Sequence, residues 1–284
     1  MPETAQERSD VVEPKAIAVA PNGGRRGKAD HPAIPLTADE IARTAAACLD
    51  AGAAMIHMHV RDRDGAHLLD ADAYRDAIAA TRAAVGDRLV IQITTEAVGR
   101  YRPDEQMAVV RAVRPQAASL ALRELAPDEA SEAAFADFLA WMAGERIAPQ
   151  IILYTPEEAD RMAALHKRGL IPFDRLSVLY VLGRYAEGQK SAPADLLPFL
   201  TDARPRFADW MVCAFGARET ACATFGAMLG GHIRVGFENN FCLPDGALAP
   251  DNAALVHATA TALGSVGIPL AKADELRALW RLSS

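Results

Sequence analysis

The chain has 284 residues, 51 % apolar and 24 % charged, with 30 basic against 37 acidic residues and a net charge of −7. That balance is ordinary for a globular protein and excludes the extended basic footprint that nucleic-acid binding requires. No apolar run reaches bilayer-spanning length, so no membrane partner is expected.

The stretch Met1–Glu13 is polar and acidic and lacks an apolar h-region, so it is expected not to be a signal peptide. Residues 1–14 are expected to form a loosely ordered tail, residues 15–284 one domain, and the protein to be cytoplasmic. Ala16–Ala20 is the first strand candidate and runs into a glycine-rich, basic loop, Pro21–Lys28. Thr37 and Glu40 then form a capping box, opening a helix with Ile41, Ala45 and Cys48 at helical spacing and a stop at Gly52. Met55–Asp62 reads as the second strand.

The same unit recurs. Helix Ala71–Ala84 stops at Gly86 before strand Leu89–Ile93; helix Pro103–Val113 precedes strand Ala117–Leu122; helix Ser131–Ala143 precedes strand Pro149–Tyr154. Thr155 and Glu158 form a second capping box with Pro156 at the first helical position. That helix stops at Gly169, before strand Leu176–Val181. Helix Ala192–Leu200 leads to strand Trp210–Cys213, and helix Arg218–Leu229, closed by Gly230 and Gly231, leads to strand His232–Glu238. Helices Asn252–Leu263 and Ala273–Leu282 finish the chain. Eight short apolar strands alternating with helices predict an α/β fold, a (β/α)8 TIM barrel in a single domain. The competing open doubly wound sheet lacks its GxGxxG fingerprint after every strand. The four cysteines (Cys48, Cys213, Cys222, Cys242) show no CxxC or framework spacing and read as reduced.

In a barrel of this kind function sits at the carboxyl ends of the strands. His57 and His59 share one face of strand two. They read either as a metal-chelating pair or as hydrogen-bonded core histidines. Glu238, at the same end of strand eight, tips the reading toward metal, because two histidines and one carboxylate with a vacant fourth position are a common catalytic zinc set. Alternatively Glu238 pairs with Arg61 or Arg234. Arg234 shares its parity and is expected deeper inside, orienting Glu238 or filling a structural ion pair. Arg61 is read either as a receptor for a substrate carboxylate or as half of a rim salt bridge. Glu96, closing strand three, and Glu124, closing strand four, are candidate general bases or partners for a cationic substrate group, against the plainer and, for either one alone, stronger reading that each is solvated or caps the next helix. Asn22 and Arg25, with Arg26 and Lys28, suit an anionic substrate or a cofactor phosphate. Cys213 has no nameable histidine neighbour and is no nucleophile; Tyr154, Tyr180 and Trp210 read as packing; His166 and His232 are poorly placed for chemistry. GxSxG and GxxxxGK[ST] motifs are absent.

His57-Met-His-Val-Arg-Asp62 after a helix ending in Ala51-Gly52, together with Gly230-Gly-His-Ile-Arg-Val-Gly-Phe-Glu-Asn-Asn240, resembles the β-keto acid cleavage enzymes, a family founded on the 3-keto-5-aminohexanoate cleavage enzyme of lysine fermentation. The likeness runs from about Ile17 to Leu279. It implies a (β/α)8 barrel, usually a homotetramer, with Zn2+ on His57, His59 and Glu238. It also implies a reaction in which a β-keto acid and acetyl-CoA give acetoacetate and a new acyl-CoA, with Arg234 matching the family's strand-eight arginine. Three departures stand out. Asn239 replaces an aspartate that assists proton transfer or pairs the arginine; Thr94-Thr95-Glu96-Ala97 replaces a Ser-Thr-Gly-Gly-like turn; and Arg123-Glu124-Leu125-Ala126 replaces a Gly-Thr/Ser-x-Asn turn. Glu96 or Glu124 is therefore expected to stand in for the lost aspartate or to read a positively charged substrate tail. The competing functions are a zinc hydrolase or aldolase on a similar barrel, and a non-catalytic barrel whose metal only fixes the fold.

Overall fold

The computed structural model describes residues 12–282. Most of the expected tail, residues 1–11, therefore lies outside the described residues. Eight parallel strands close into a barrel: β1 (Ile17–Val19), β2 (Met55–Met58), β3 (Val90–Thr94), β4 (Ala117–Ala121), β5 (Ala148–Leu153), β6 (Ser177–Leu182), β7 (Asp209–Ala214) and β8 (His232–Val235). Each pairs with its sequence neighbours, and β8 returns to β1 with Ala18 opposite Arg234. The helices are α1 (Ala38–Asp50), α2 (Ala71–Val85), α3 (Pro103–Val113), the one-turn α4 (Leu122–Leu125), α5 (Glu132–Glu145), α6 (Pro156–Lys167), α7 (Glu219–Met228), α8 (Asn252–Ser265) and α9 (Ala273–Trp280). None of them is long and apolar enough to cross a membrane. All four cysteines are unpaired.

Strand parity sorts the core into two shells. Ile17, Val19, Ile56, Met58, Ile91, Ile93, Ile151 and Leu153 face the helices. Ala18, Met55, Val90, Ala117, Ile152, Leu179 and Met211 fill the lumen. Because successive side chains alternate faces, His57, Gln92, Gln150 and Arg234 share the parity of the lumen set, and all four are buried.

The capping box at α1 forms as its residues predict: Thr37 Oγ1 accepts from Glu40 N, and Glu40 Oε2 accepts from Thr37 N. At α6 only half the box forms. Thr155 Oγ1 accepts from Glu158 N, but the Glu158 carboxylate accepts from Tyr154 N and Arg123 instead.

Four expectations need correction. The second strand is interrupted after Met58; Val60–Arg61 instead pairs antiparallel with His67–Leu68, a hairpin the pattern did not predict. Its turn is Asp62-Arg63-Asp64-Gly65, where Asp62 Oδ1 accepts from Asp64 N and Ala66 N, an Asp-Gly signal legible in principle. The helix expected at Ala192–Leu200 is a 3-10 segment, Pro193–Phe199, since Pro198 inside it removes a backbone donor and crowds the preceding turn. Strand eight stops at Val235, so Glu238 rides on the following turn. Strand four stops at Ala121, so Arg123 and Glu124 lie within α4.

Candidate metal centre

Glu238 is placed by the turn after β8. Gly236 adopts φ +138°, and a Cβ there would lie 2.4 Å from Ala20 O, so the sharp exit toward β1 depends on glycine. Three buried groups then pin the turn. Glu219 Oε1 accepts from Gly236 N at 3.1 Å, Asn252 Oδ1 accepts from Phe237 N at 2.9 Å, and Ala20 O accepts from Glu238 N at 3.1 Å. Burial pushes the Glu219 carboxyl well above its ordinary value, and both its oxygens accept, Oε1 from Gly236 N and Oε2 from Asn240 Nδ2.

His59 lies just past the end of β2, where the backbone ladder has run out. There the buried Asn22 side chain replaces a strand: its Oδ1 accepts from His59 N at 3.2 Å and its Nδ2 donates to His59 O at 2.8 Å and Pro35 O at 2.9 Å. Asn22, expected to bind a cofactor, is thus spent on the backbone and fixes His59 by proxy. Arg61 likewise serves neither expected role. Its guanidinium donates to the carbonyls of Asn22, Gly23, Arg26 and Gly65, lashing the loop after β1 to the hairpin.

These restraints bring together the three residues expected to hold a metal. Glu238 Oε2 lies 3.5 Å from His57 Nε2 and 3.4 Å from His59 Nε2, and the two nitrogens are 3.2 Å apart. Three ligands at zinc-like bond lengths around a tetrahedral ion stand about 3.4 Å apart, so the triangle already has the required size. Glu238 Oε2 is buried without a hydrogen-bond partner among the described residues. Burial foremost pushes His57 down to about 4 and His59 to about 3, leaving both neutral at physiological pH with lone pairs to donate. Burial opposes the charge on Glu238, but Arg234 first and the imidazoles second outweigh it and hold the carboxyl well below its usual range. The donor set, its spacing and the orphaned oxygen all fit a divalent cation.

The lumen orients His57. Gln92 Nε2 donates to Gln150 Oε1 at 3.2 Å, and Gln150 Nε2 donates to Ser177 Oγ at 3.4 Å. That chain turns Gln92 Oε1 toward His57 Nδ1 at 2.8 Å, so Nδ1 carries the proton and Nε2 is the bare nitrogen facing Glu238. Replacing Gln92 by Leu is expected to weaken metal affinity about 10- to 100-fold, while Gln92→Glu, which keeps an acceptor, retains most of it. Competition with a chromophoric chelator measures both.

Arg234 Nη2 donates to Glu238 Oε1 at 3.2 Å and to Cys213 Sγ at 3.4 Å, while its Nε and Nη1 are buried without partners among the described residues. Burial pushes the Cys213 thiol up to about 11, consistent with no nucleophilic role. Glu96 reaches the cluster from the turn after β3, which stops at Thr94: its Oε2 is 3.9 Å from His59 Nδ1 and its Oε1 accepts from Arg184 at 3.2 Å, with Arg25 Nε at 3.9 Å. Burial and then the charge on Glu238 raise its carboxyl above the usual value. Glu124 is not brought to the mouth. Its carboxylate accepts from Ala97 N at 3.0 Å and Gln106 Nε2 at 2.7 Å, bracing the turn that carries Glu96.

Two cavities meet over the cluster. One of about 20 Å³ is lined by, among others, His57, Thr94, Glu96, Tyr154, Arg184, Arg234 and Glu238. The other, of about 80 Å³, opens over the loop after β1 and includes Arg25, Glu96, Arg184 and Glu238. Tyr154, read as packing, therefore lines the chamber, whereas Tyr180 and Trp210 do pack on each other, with ring centroids 5.6 Å apart. Two residues escaped the sequence reading. His67, on the hairpin, lies with its ring 5.1 Å from that of His59, and its Nε2 faces Glu96 O at 2.8 Å. Arg184, in the loop after β6, carried no periodicity or motif. His166 and His232 stand apart, bonded to Phe173 O and Ala16 N.

Comparison with known proteins gives the family. Residues 14–282 match the model of the beta-keto acid cleavage enzyme family. A 3-keto-5-aminohexanoate cleavage enzyme of Fusobacterium nucleatum is 30 % identical over 96 % of this chain and 99 % of its own length. A 3-oxoadipate:acetyl-CoA acetyltransferase of Cupriavidus necator is 28 % identical over 96 % and 97 %. Among solved structures, the binary complex of ObcA with oxaloacetate superposes with a TM-score of 0.69 at 15 % identity, covering 89 % of this chain and 68 % of that one, a likeness of fold. The family match spans nearly the whole barrel and includes every member of the His57, His59 and Glu238 cluster: the chain belongs to the β-keto acid cleavage enzyme family.

Proposed function

We propose that the protein is a zinc-dependent acyltransferase that exchanges the acyl part of a β-keto acid with acetyl-CoA, releasing acetoacetate and a new acyl-CoA. The observation that carries this reading is the three-ligand triangle at the barrel mouth with two unpaired guanidinium nitrogens of Arg234 beside it. Three protein ligands leave room for substrate, as catalytic rather than structural zinc sites do. His57, His59 and Glu238 would hold a divalent ion, which would supply Lewis-acid polarisation of the keto acid's oxygens and so lower the cost of a carbanion at the carbon between its two carbonyl groups.

The chain's own residues supply the rest. Arg234, held against Glu238 Oε1, offers Nε and Nη1 to the substrate carboxylate. Asn239 cannot take a proton, and Glu124 is already committed to Ala97 and Gln106. Glu96 and Glu238 both line the two cavities, and with Glu238 assigned to the metal Glu96 is the carboxylate left to act as base, so we assign the α-proton to Glu96 Oε2. The carbanion attacks the thioester carbonyl of acetyl-CoA and expels CoA thiolate. The thiolate then attacks the original keto carbon, and the bond from that carbon to the former carbanion carbon breaks, giving the new thioester and an acetoacetate carbanion that takes back the proton held on Glu96. Arg25, half exposed at the rim, suits the anionic end of CoA. The cytoplasmic location and the homotetramer implied by the resemblance belong to the same reading.

The test incubates metal-loaded protein with acetyl-CoA and a panel of β-keto acids and follows acetoacetate and acyl-CoA together. Equal amounts of the two products, only when acetyl-CoA is present, are expected. Keto acid consumption at the same rate without acetyl-CoA indicates a hydrolase instead.

A further inference from the structure

The arginines around the metal centre differ in how far the fold uses them. Arg61 spends Nη1 and Nη2 on four backbone carbonyls, and among the described residues only its Nε is left over. Arg26 donates to Phe237 O and Gln189 Oε1 and stacks on Phe241. Arg184 is different. Its guanidinium lies over Phe215, 5.0 Å from the ring centroid, and among the described residues its hydrogen-bond partner is Glu96. A guanidinium has five donors, so most of this fork is unspent. The side chain is only 15 % exposed and stands in the wall shared by the two cavities. Arg234 lines the same inner cavity and is buried, with Nε and Nη1 lacking partners among the described residues. One small chamber thus holds two guanidinium groups with donors to spare, where a substrate with a single carboxylate needs one.

Charge counts the same way. Arg25, Arg184 and Arg234 face Glu96 and Glu238, three positive against two negative, before any divalent ion is added. A cationic tail, which Glu96 alone suggested, finds that carboxylate flanked by Arg184 at 3.2 Å and Arg25 at 3.9 Å. Phosphates of CoA are a poor match for Arg184, because the pantetheine arm holds them far from the thioester carbon that must react at the cluster.

Resting on the β-keto acid reading above, we infer that the substrate is a β-keto dicarboxylate whose distal carboxylate is received by Arg184, while Arg234 takes the carboxylate next to the reacting carbon. Arg184 is the specificity-determining residue, and Glu96 holds its fork in place until the substrate arrives. Arg suits this duty because its planar fork grips a carboxylate through two parallel bonds.

The test uses the zinc-loaded protein with 3-oxohexanoate and its analogues of equal length ending in a carboxylate or an ammonium group. Selectivity is the ratio of kcat/KM values, and calorimetric binding of the same acids without acetyl-CoA provides a second ratio. Wild type is expected to favour the carboxylate-terminated acid about 10- to 100-fold. Arg184→Met is expected to collapse that ratio toward one, Arg184→Lys to restore part of it, and the KM for acetyl-CoA to stay put. A preference for the neutral or ammonium-terminated acid, an equal loss on all three in Arg184→Met, or a loss confined to acetyl-CoA KM overturns the inference and leaves the β-keto acid reading intact. If none of the acids is turned over, that reading fails instead, and the binding ratio still decides the role of Arg184.

Discussion

Replacing Glu238 by Gln is expected to lower kcat/KM about 1,000-fold or more and to reduce bound metal from one ion per chain to almost none. Lewis-acid assistance supplies several kcal/mol of transition-state stabilisation, and each 1.36 kcal/mol is a factor of ten. The carboxylate is the sole anion among the three ligands, and the two imidazoles, 3.2 Å apart, hold a dication poorly without it. His57→Ala and His59→Ala should behave alike, because no fourth His, Cys, Asp or Glu of the described residues joins the cluster. Elemental analysis of the purified variants, with far-ultraviolet circular dichroism to check folding, reads the outcome. A Glu238→Gln protein that keeps both its metal and its turnover would remove the basis for the proposed chemistry.

Arg234→Met is expected to act on stability as much as on catalysis, and by an amount that depends on metal. Glu238 has compensating positive charge in the guanidinium 3.2 Å from Oε1, and would gain a second source in a metal ion held with His57 and His59. Removing one partner of a buried pair costs about 3–5 kcal/mol because the other charge is stranded. In metal-free protein Arg234→Met should therefore cost about 3 kcal/mol, the low end, since the Glu238 side chain is 15 % exposed. With metal bound the cost should shrink, because the ion still balances the carboxylate. Adding Glu238→Gln to Arg234→Met should recover stability in the metal-free state, a non-additivity that a double-mutant cycle measures directly. Denaturant unfolding with and without chelator gives all the numbers. An Arg234→Met penalty that is the same with and without metal would mean that the arginine supports the barrel wall and not the carboxylate.

The barrel was legible because it depends on local rules. Apolar strands of barrel length alternate with capped helices, Thr37 and Glu40 announce α1, and Gly52, Gly86 and Gly169 mark helix ends. The parity of His57 with Met55 places it in the lumen by the period of a strand alone. His57, His59 and Glu238 were recognisable because each follows a short conspicuous run near a strand end, and a barrel gathers such ends at one mouth.

Distance in sequence hid the rest. Glu238 meets His59 not along a strand but through a turn, bent at Gly236 against Ala20 and clamped by Glu219 and Asn252, three contacts between segments that no periodicity connects. Asn22 looked like a ligand-binding residue from its loop. Only the end of the β1 ladder beneath it shows that its amide must pair with His59. Glu96 and Glu124 are equivalent in sequence, each an acid at a strand end; packing gives one to the cavity and the other to Gln106 and Ala97. Arg184 carries no signal beyond being charged, and its open fork exists because the loop after β6 folds back over Phe215 beside Glu96. Sequence thus determined the barrel and the three candidate ligands, since secondary-structure period and strand ends are short-range properties. Which polar groups are spent and which are left over was decided in three dimensions, because a buried donor takes whatever partner the fold brings within reach.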